Sequence, residues 1–118
     1  MSNSIVKEKS KRFAVRVVRL YQYLSKEKHE FIMSRQLLKS GTSIGANVSE
    51  AGYAQSRNDF INKLSIAMKE AAETEYWLEL LHDTGYIEGE AFSSISRDCS
   101  EICKMLIQIL NTTKKNNC

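Results

Sequence analysis

The chain has 118 residues, with 17 Lys and Arg against 14 Asp and Glu for a net charge of +3, five glycines, three cysteines and no proline. That length is enough for a single domain that buries its own core without disulfides or a structural metal. No stretch approaches the roughly 20 consecutive apolar residues of a membrane span, and no apolar run follows the charges of MSNSIVKEKSKRF, so neither a membrane protein nor a secreted one is expected and the expected compartment is the cytoplasm.

Absent proline, sparse glycine and sustained apolar periodicity point to an all-α protein. Charge is spread unevenly along it. Residues 1–28 carry Lys7, Lys9, Lys11, Arg12, Arg16, Arg19, Lys26 and Lys28 against Glu8 and Glu27, whereas residues 56–110 are predominantly acidic. Such polarity suits either a copy-to-copy match in an oligomer or a basic face for an anionic polymer, and composition does not choose between them.

A first helix is expected over 4–25. Val6, Phe13, Val17, Leu20 and Leu24 fall in one wedge at 3.6 residues per turn, and Ala14, Val18 and Tyr21 widen the apolar arc beyond what one neighbouring helix covers. Lys9, Arg12, Arg16 and Arg19 form a basic ridge beside the wedge. The polar link Lys26-Glu27-Lys28-His29 permits only an antiparallel return.

A second helix is expected over 30–52, through Leu37, Ile44 and Val48, with Gly52 taking the left-handed conformation that ends helices. Within it Gly41, Gly45 and Ser49 recur every fourth residue and stack on one face almost without side chains. A glycine inside a helix costs about 1 kcal/mol relative to alanine. Two of them make sense where another helix approaches the backbone closely, and a contact inside the bundle is the expected reason.

A third helix, 57–83, has the clearest start. Ser56 followed by Asp59 is a variant capping box, with an acid in the first turn. Ile61, Leu64, Met68, Ala71, Leu78 and Leu81 mark its core face, and Gly85 lies just past its end. Glu73 and Glu75 point to different sides, so at least one is expected to contact another helix or another copy. The fourth helix, 88–113, carries the most regular seam: Phe92, Ile95, Cys99, Ile102, Leu106 and Ile109. A frayed tail is expected at 114–118. Four helices joined by short links predict an antiparallel up-down-up-down four-helix bundle.

Several of these segments together carry a resemblance. Ser43-Ile44, Asn47-Val48-Ser49-Glu50, Ser56, Asp59-Phe60, Leu64-Ser65-Ile66-Ala67, Glu73 with Glu75, Gly85-Tyr86 and Glu101-Ile102-Cys103-Lys104-Met105-Leu106 occur in the order and spacing of one bacterial family. The chain resembles the proteins encoded in intervening sequences of 23S rRNA genes. It departs from them at Ala51, where glycine is common, and at Ala54, where arginine is frequent. The resemblance implies a homo-oligomer, with a ring of five favoured, and a relation to the accessory proteins of diversity-generating retroelements, which bind nucleic acid. It implies no enzymatic activity. The motif positions Ser43, Ile44, Asn47, Glu50, Ser56, Asp59, Phe60, Glu73, Glu75 and Gly85 are expected to be structural or to lie at an interface.

The basic ridge is the leading functional candidate. Clustered cations neutralise phosphates in a sequence-independent, salt-sensitive way, so Lys9, Lys11, Arg12, Arg16 and Arg19 are the expected contacts to RNA or DNA. The competing reading is that the same charges pair with acids on a neighbour, making the chain a protein–protein adaptor. Tyr21, Tyr23 and Tyr53 have faces for stacking on bases, though Tyr21 lies on the apolar arc. No nucleophile–base arrangement or phosphate-cradling glycine loop is present, so no catalytic residue, small-molecule substrate or cofactor is expected. Glu79-Leu80-Leu81-His82 has di-iron spacing, but once only. Cys99 and Cys103 lie one turn apart on the same face; with His29 and His82 elsewhere a zinc site needs an unusual ligand set, and core packing or a free thiol is expected rather than a metal.

Overall fold

The apolar wedges find one another. In the computed structural model, which describes residues 2–115, four α-helices run α1 (Ser2–Lys26), α2 (Met33–Ala51), α3 (Arg57–Asp83) and α4 (Gly89–Lys115), with no strand among the described residues. Each helix packs against its neighbours in sequence, α1 closes on α4, and the diagonal pairs do not meet, which is the up-down-up-down arrangement. The bundle measures 50 × 22 × 19 Å. Val6, Phe13, Val17 and Leu24 of α1, Leu37, Ile44 and Val48 of α2, Leu64, Leu78 and Leu81 of α3, and Ile95, Cys99, Ile102 and Leu106 of α4 form its buried axis.

The small face of α2 meets α1. A Cβ at Gly41 would stand 2.8 Å from both γ-methyls of Val17, and one at Gly45 would stand 3.3 Å from the backbone oxygen of Ser10. Ser10 is itself fully buried, with its hydroxyl donated to the Lys7 carbonyl at 3.1 Å. Deeper in, the buried hydroxyls of Ser40 and Thr74 bond to each other at 2.9 Å and join α2 to α3.

The second helix begins at Met33, three residues later than its periodicity suggests. The cause is Glu30. His29 adopts φ +55, the Glu30 N–H turns back to the Leu24 carbonyl at 2.9 Å, and the Glu30 side chain then folds forward over the new helix. Its carboxylate accepts from the backbone N–H groups of Ile32, Met33 and Ser34 at 3.2, 3.0 and 2.8 Å, while Ser34 Oγ donates to the Glu30 carbonyl at 2.7 Å. Three N–H groups that a helix start leaves unpaired are thus served by one anion at the positive end of the dipole. Burial alone pushes the Glu30 carboxyl pKa up, but the bonds from Met33, Ser34 and Ile32 together bring it below the ordinary carboxylate value.

The other ends follow capping chemistry. Ser56 accepts from the Asp59 N–H at 3.0 Å, and Asp59 returns by accepting from the Gln55 N–H at 3.2 Å. Gly85, at φ +88, ends α3 with the paired bonds of a Schellman turn, Gly85 N–H to His82 and Tyr86 N–H to Leu81, at 3.0 and 2.9 Å. Gly52 does not take the expected left-handed conformation: its φ is −65. Successive N–H groups of Gly52, Tyr53 and Ala54 instead reach the carbonyls of Ser49, Glu50 and Ala51, a tight turn that satisfies the helix end without positive φ. Lys114 and Lys115, expected in the frayed tail, continue α4, and residues 116–118 of that tail lie outside the described residues.

Two outcomes test these contacts. Gly41→Ala should lower the unfolding free energy by about 1–2 kcal/mol in urea titrations, because both Val17 methyls block the new carbon and a buried β-branched side chain has little room to turn. Gly45→Ala should stay within about 1 kcal/mol of wild type, its gain in helix propensity offsetting the milder squeeze. Glu30→Gln should cost about 1 kcal/mol at pH 7. The depressed folded-state pKa makes the Glu30 contribution complete above the ordinary value of 4.5 and lost as pH falls through the folded-state pKa, so the two proteins should converge in stability under acid.

Candidate functional site

The basic ridge of α1 divides in two. Lys9 and Arg16 lie on the side facing α4 and are already paired across that seam: Lys9 Nζ to Glu101 at 2.8 Å, and Arg16 to Asp98 at 2.6 Å and to Ser94 Oγ at 3.2 Å. Arg12 pairs one turn back with Glu8 at 3.2 Å, with both side chains largely in water. Lys11 and Arg19 have no ion pair among the described residues. Exposed pairs of this kind contribute about 0–1 kcal/mol each, so they guide α1 onto α4 more than they hold it there.

On its outer side α1 leaves apolar surface uncovered. Val15 is 44% exposed and Val18 36%, and with Lys11, Ala14, Arg19 and Gln22 they line one shallow groove. Val18 belongs to the arc that the sequence makes too wide for one neighbour. Val15 does not, and only its i, i+3 relation to Val18 opposite the core wedge would have revealed it. The far corner of the bundle carries the complementary charge: the outer side of α3 presents Glu73, Tyr76, Glu79 and Asp83, with the Tyr76 ring edge-on to Trp77 at 5.0 Å between centroids.

Most of the family-motif residues close local structure. The Asn47 side chain donates to the Ser43 carbonyl at 2.9 Å, and Ile44 is core. Glu50 pairs with Lys63 at 2.9 Å, tying α2 to α3 and raising the Lys63 pKa through that hydrogen bond. Ser56, Asp59 and Gly85 shape helix ends as described, and Phe60 packs on the edge of the core. Glu73 accepts from the Trp77 indole at 3.0 Å on an exposed surface. Glu75 turns the other way, into the α3–α4 seam, where its carboxylate meets Cys99 and Cys103. The hydrogen bond shared with Cys103, burial and the nearby Glu75 charge push the Cys99 thiol above the ordinary range, and its Sγ also donates to the Ala71 carbonyl at 3.6 Å.

His82 is engaged structurally. Its ring stacks on Phe92 with centroids 4.3 Å apart, and Nδ1 lies 2.9 Å from the Ile87 carbonyl, bracing the α3–α4 link, while Glu79 of the same Glu-x-x-His stretch is exposed. Tyr21 is half-buried, Tyr23 is exposed with Lys28 Nζ 6.0 Å from its ring centre, and Tyr53 is 81% exposed. No helix among the described residues is long and apolar enough to cross a membrane.

The sequence model of one family, described as the 23S rRNA-intervening sequence protein, matches residues 2–108. A crystal structure of a protein of unknown function from the S23 ribosomal protein family of Bacteroides thetaiotaomicron superposes with a TM-score of 0.93 at 60% sequence identity, covering 94% of this chain and 99% of that one. No curated protein matches the chain significantly. Neither the family description nor that of the crystal structure names an enzymatic activity.

Proposed function

Because the chain belongs to the 23S rRNA-intervening sequence protein family, we propose that it is a non-enzymatic helical scaffold assembled from copies of itself, with RNA or DNA held on the basic surface that the assembly leaves open. The carrying observation is the outer face of α1, where Val15 and Val18 stand in solvent between Lys11 and Arg19. Apolar side chains ringed by charge are the make-up of a protein contact, with a dry centre and a polar rim. A second copy supplies the matching rim, since Glu73, Glu79 and Asp83 surround Tyr76 on α3. α1 and α3 occupy diagonal corners, so their outer faces look in opposite directions. A contact joining two different patches is head-to-tail and closes into a ring when its rotation allows. A ring of five, cytoplasmic and without a cofactor, is the form this reading favours.

Lys11, Arg12 and Arg19 are the cations with capacity left for phosphates. Repeated around a ring they would gain avidity without any new contact. The adaptor reading draws on the opposite observation: Lys9 and Arg16 already spend their charge on Glu101 and Asp98.

Light scattering at micromolar concentration should give a mass several times that of one chain, and Val18→Asp should reduce it toward a single chain while the circular dichroism stays helical. A single-chain mass for the unaltered protein would remove the scaffold. Filter binding to RNA and duplex DNA at two salt concentrations separates the partners. Nucleic-acid binding should weaken steeply with salt, with a slope reduced by about 3 when Lys11, Arg12 and Arg19 are replaced by alanine. No binding at low salt by assembled protein leaves the adaptor.

A further inference from the structure

The seam between α3 and α4 holds a cluster with no part in the scaffold. Cys99 and Cys103, at i and i+4 of α4, present both sulfurs to α3, where Glu75 directs its carboxylate between them; one ligand atom from each residue lies within 4.8 Å of the other two. Cys99 is fully buried, Cys103 nearly so, and Glu75 is half-buried at the mouth. Both thiols are free, and Glu75 has neither a cationic partner nor a hydrogen-bond donor among the described residues. A carboxylate drawn out of water with nothing positive beside it is costly.

We propose that Glu75, Cys99 and Cys103 form a binding site for a thiophilic divalent cation, with Zn²⁺ as the occupant. Two sulfurs and one oxygen are a zinc ligand set, and thiolates select against Mg²⁺ and Ca²⁺, which take oxygen. Around tetrahedral zinc the ligand atoms stand roughly 3.5–3.8 Å apart, a contraction of about 1 Å that side-chain rotation supplies. Binding forms two Zn–S bonds and one Zn–O bond. It releases the two thiol protons to solvent, and a water takes the fourth position. Glu75, reaching toward solvent, gives the ion its way in.

The test uses reduced, metal-free, full-length protein titrated with Co²⁺ and then Zn²⁺. Thiolate-to-cobalt charge-transfer absorption should saturate at one ion per chain and vanish as Zn²⁺ displaces it. Cys99→Ala and Cys103→Ala should abolish the absorption, Glu75→Gln should weaken binding roughly tenfold or more, and Cys118→Ala should leave it unchanged. Circular dichroism establishes that each variant is folded. On the unaltered protein, Zn²⁺ should slow alkylation of Cys103 by iodoacetamide. The site is overturned by absent charge-transfer bands together with unprotected Cys103. It is equally overturned by bands that survive the loss of both Cys99 and Cys103, or by full affinity in Glu75→Gln.

Discussion

The arrangement of this bundle depends on how closely α1 can approach α2. Gly41 and Gly45 remove two side chains from α2 where Val17 and Ser10 of α1 arrive, so the two backbones meet with little between them. The concession in helix propensity, about 1 kcal/mol per glycine, is recovered in contacts that a wider spacing would lose. It also sets the rotation of α1 about its own axis. With Val17 turned onto Gly41, the Phe13 and Leu24 wedge faces the core, Lys9 and Arg16 fall toward α4, and Val15 and Val18 are left outside.

That rotation gives the charge asymmetry its spatial meaning. An excess of cations in the first helix and of anions in the third and fourth becomes two kinds of contact. Where α1 lies beside α4, opposite charges meet within the chain, and Lys9 and Arg16 are used. Where α1 and α3 sit at diagonal corners, their charges face outward in opposite directions and are available to something else. Five residues of similar type in the sequence therefore have different uses, and the helix turn on which each falls decides which.

Acidic side chains divide in the same manner. Glu30, Glu50, Glu73 and Glu75 are chemically alike, yet one caps a helix, one pairs with a lysine, one holds an indole on the surface and one turns inward to two thiols. Their surroundings give each a different charge economy. Glu30 is held ionised by three backbone donors, whereas Glu75 has no counterpart of its own.

The amino-acid sequence by itself determined what repeats locally. Four amphipathic helices, the Ser56 cap, the Gly85 stop, the small face of α2 and the α4 seam all rest on contacts between residues a few positions apart, and periodicity reports such contacts. Tertiary structure decided whatever needed two distant segments in register. It showed that the small face receives α1, that Lys9 and Arg16 meet acids some 80 to 90 residues away, and that Glu75 stands beside Cys99 and Cys103. It also moved the start of α2 to Met33 and kept Gly52 right-handed. At these two ends, side-chain and backbone hydrogen bonds could be met in more than one local way, and the fold chose between them.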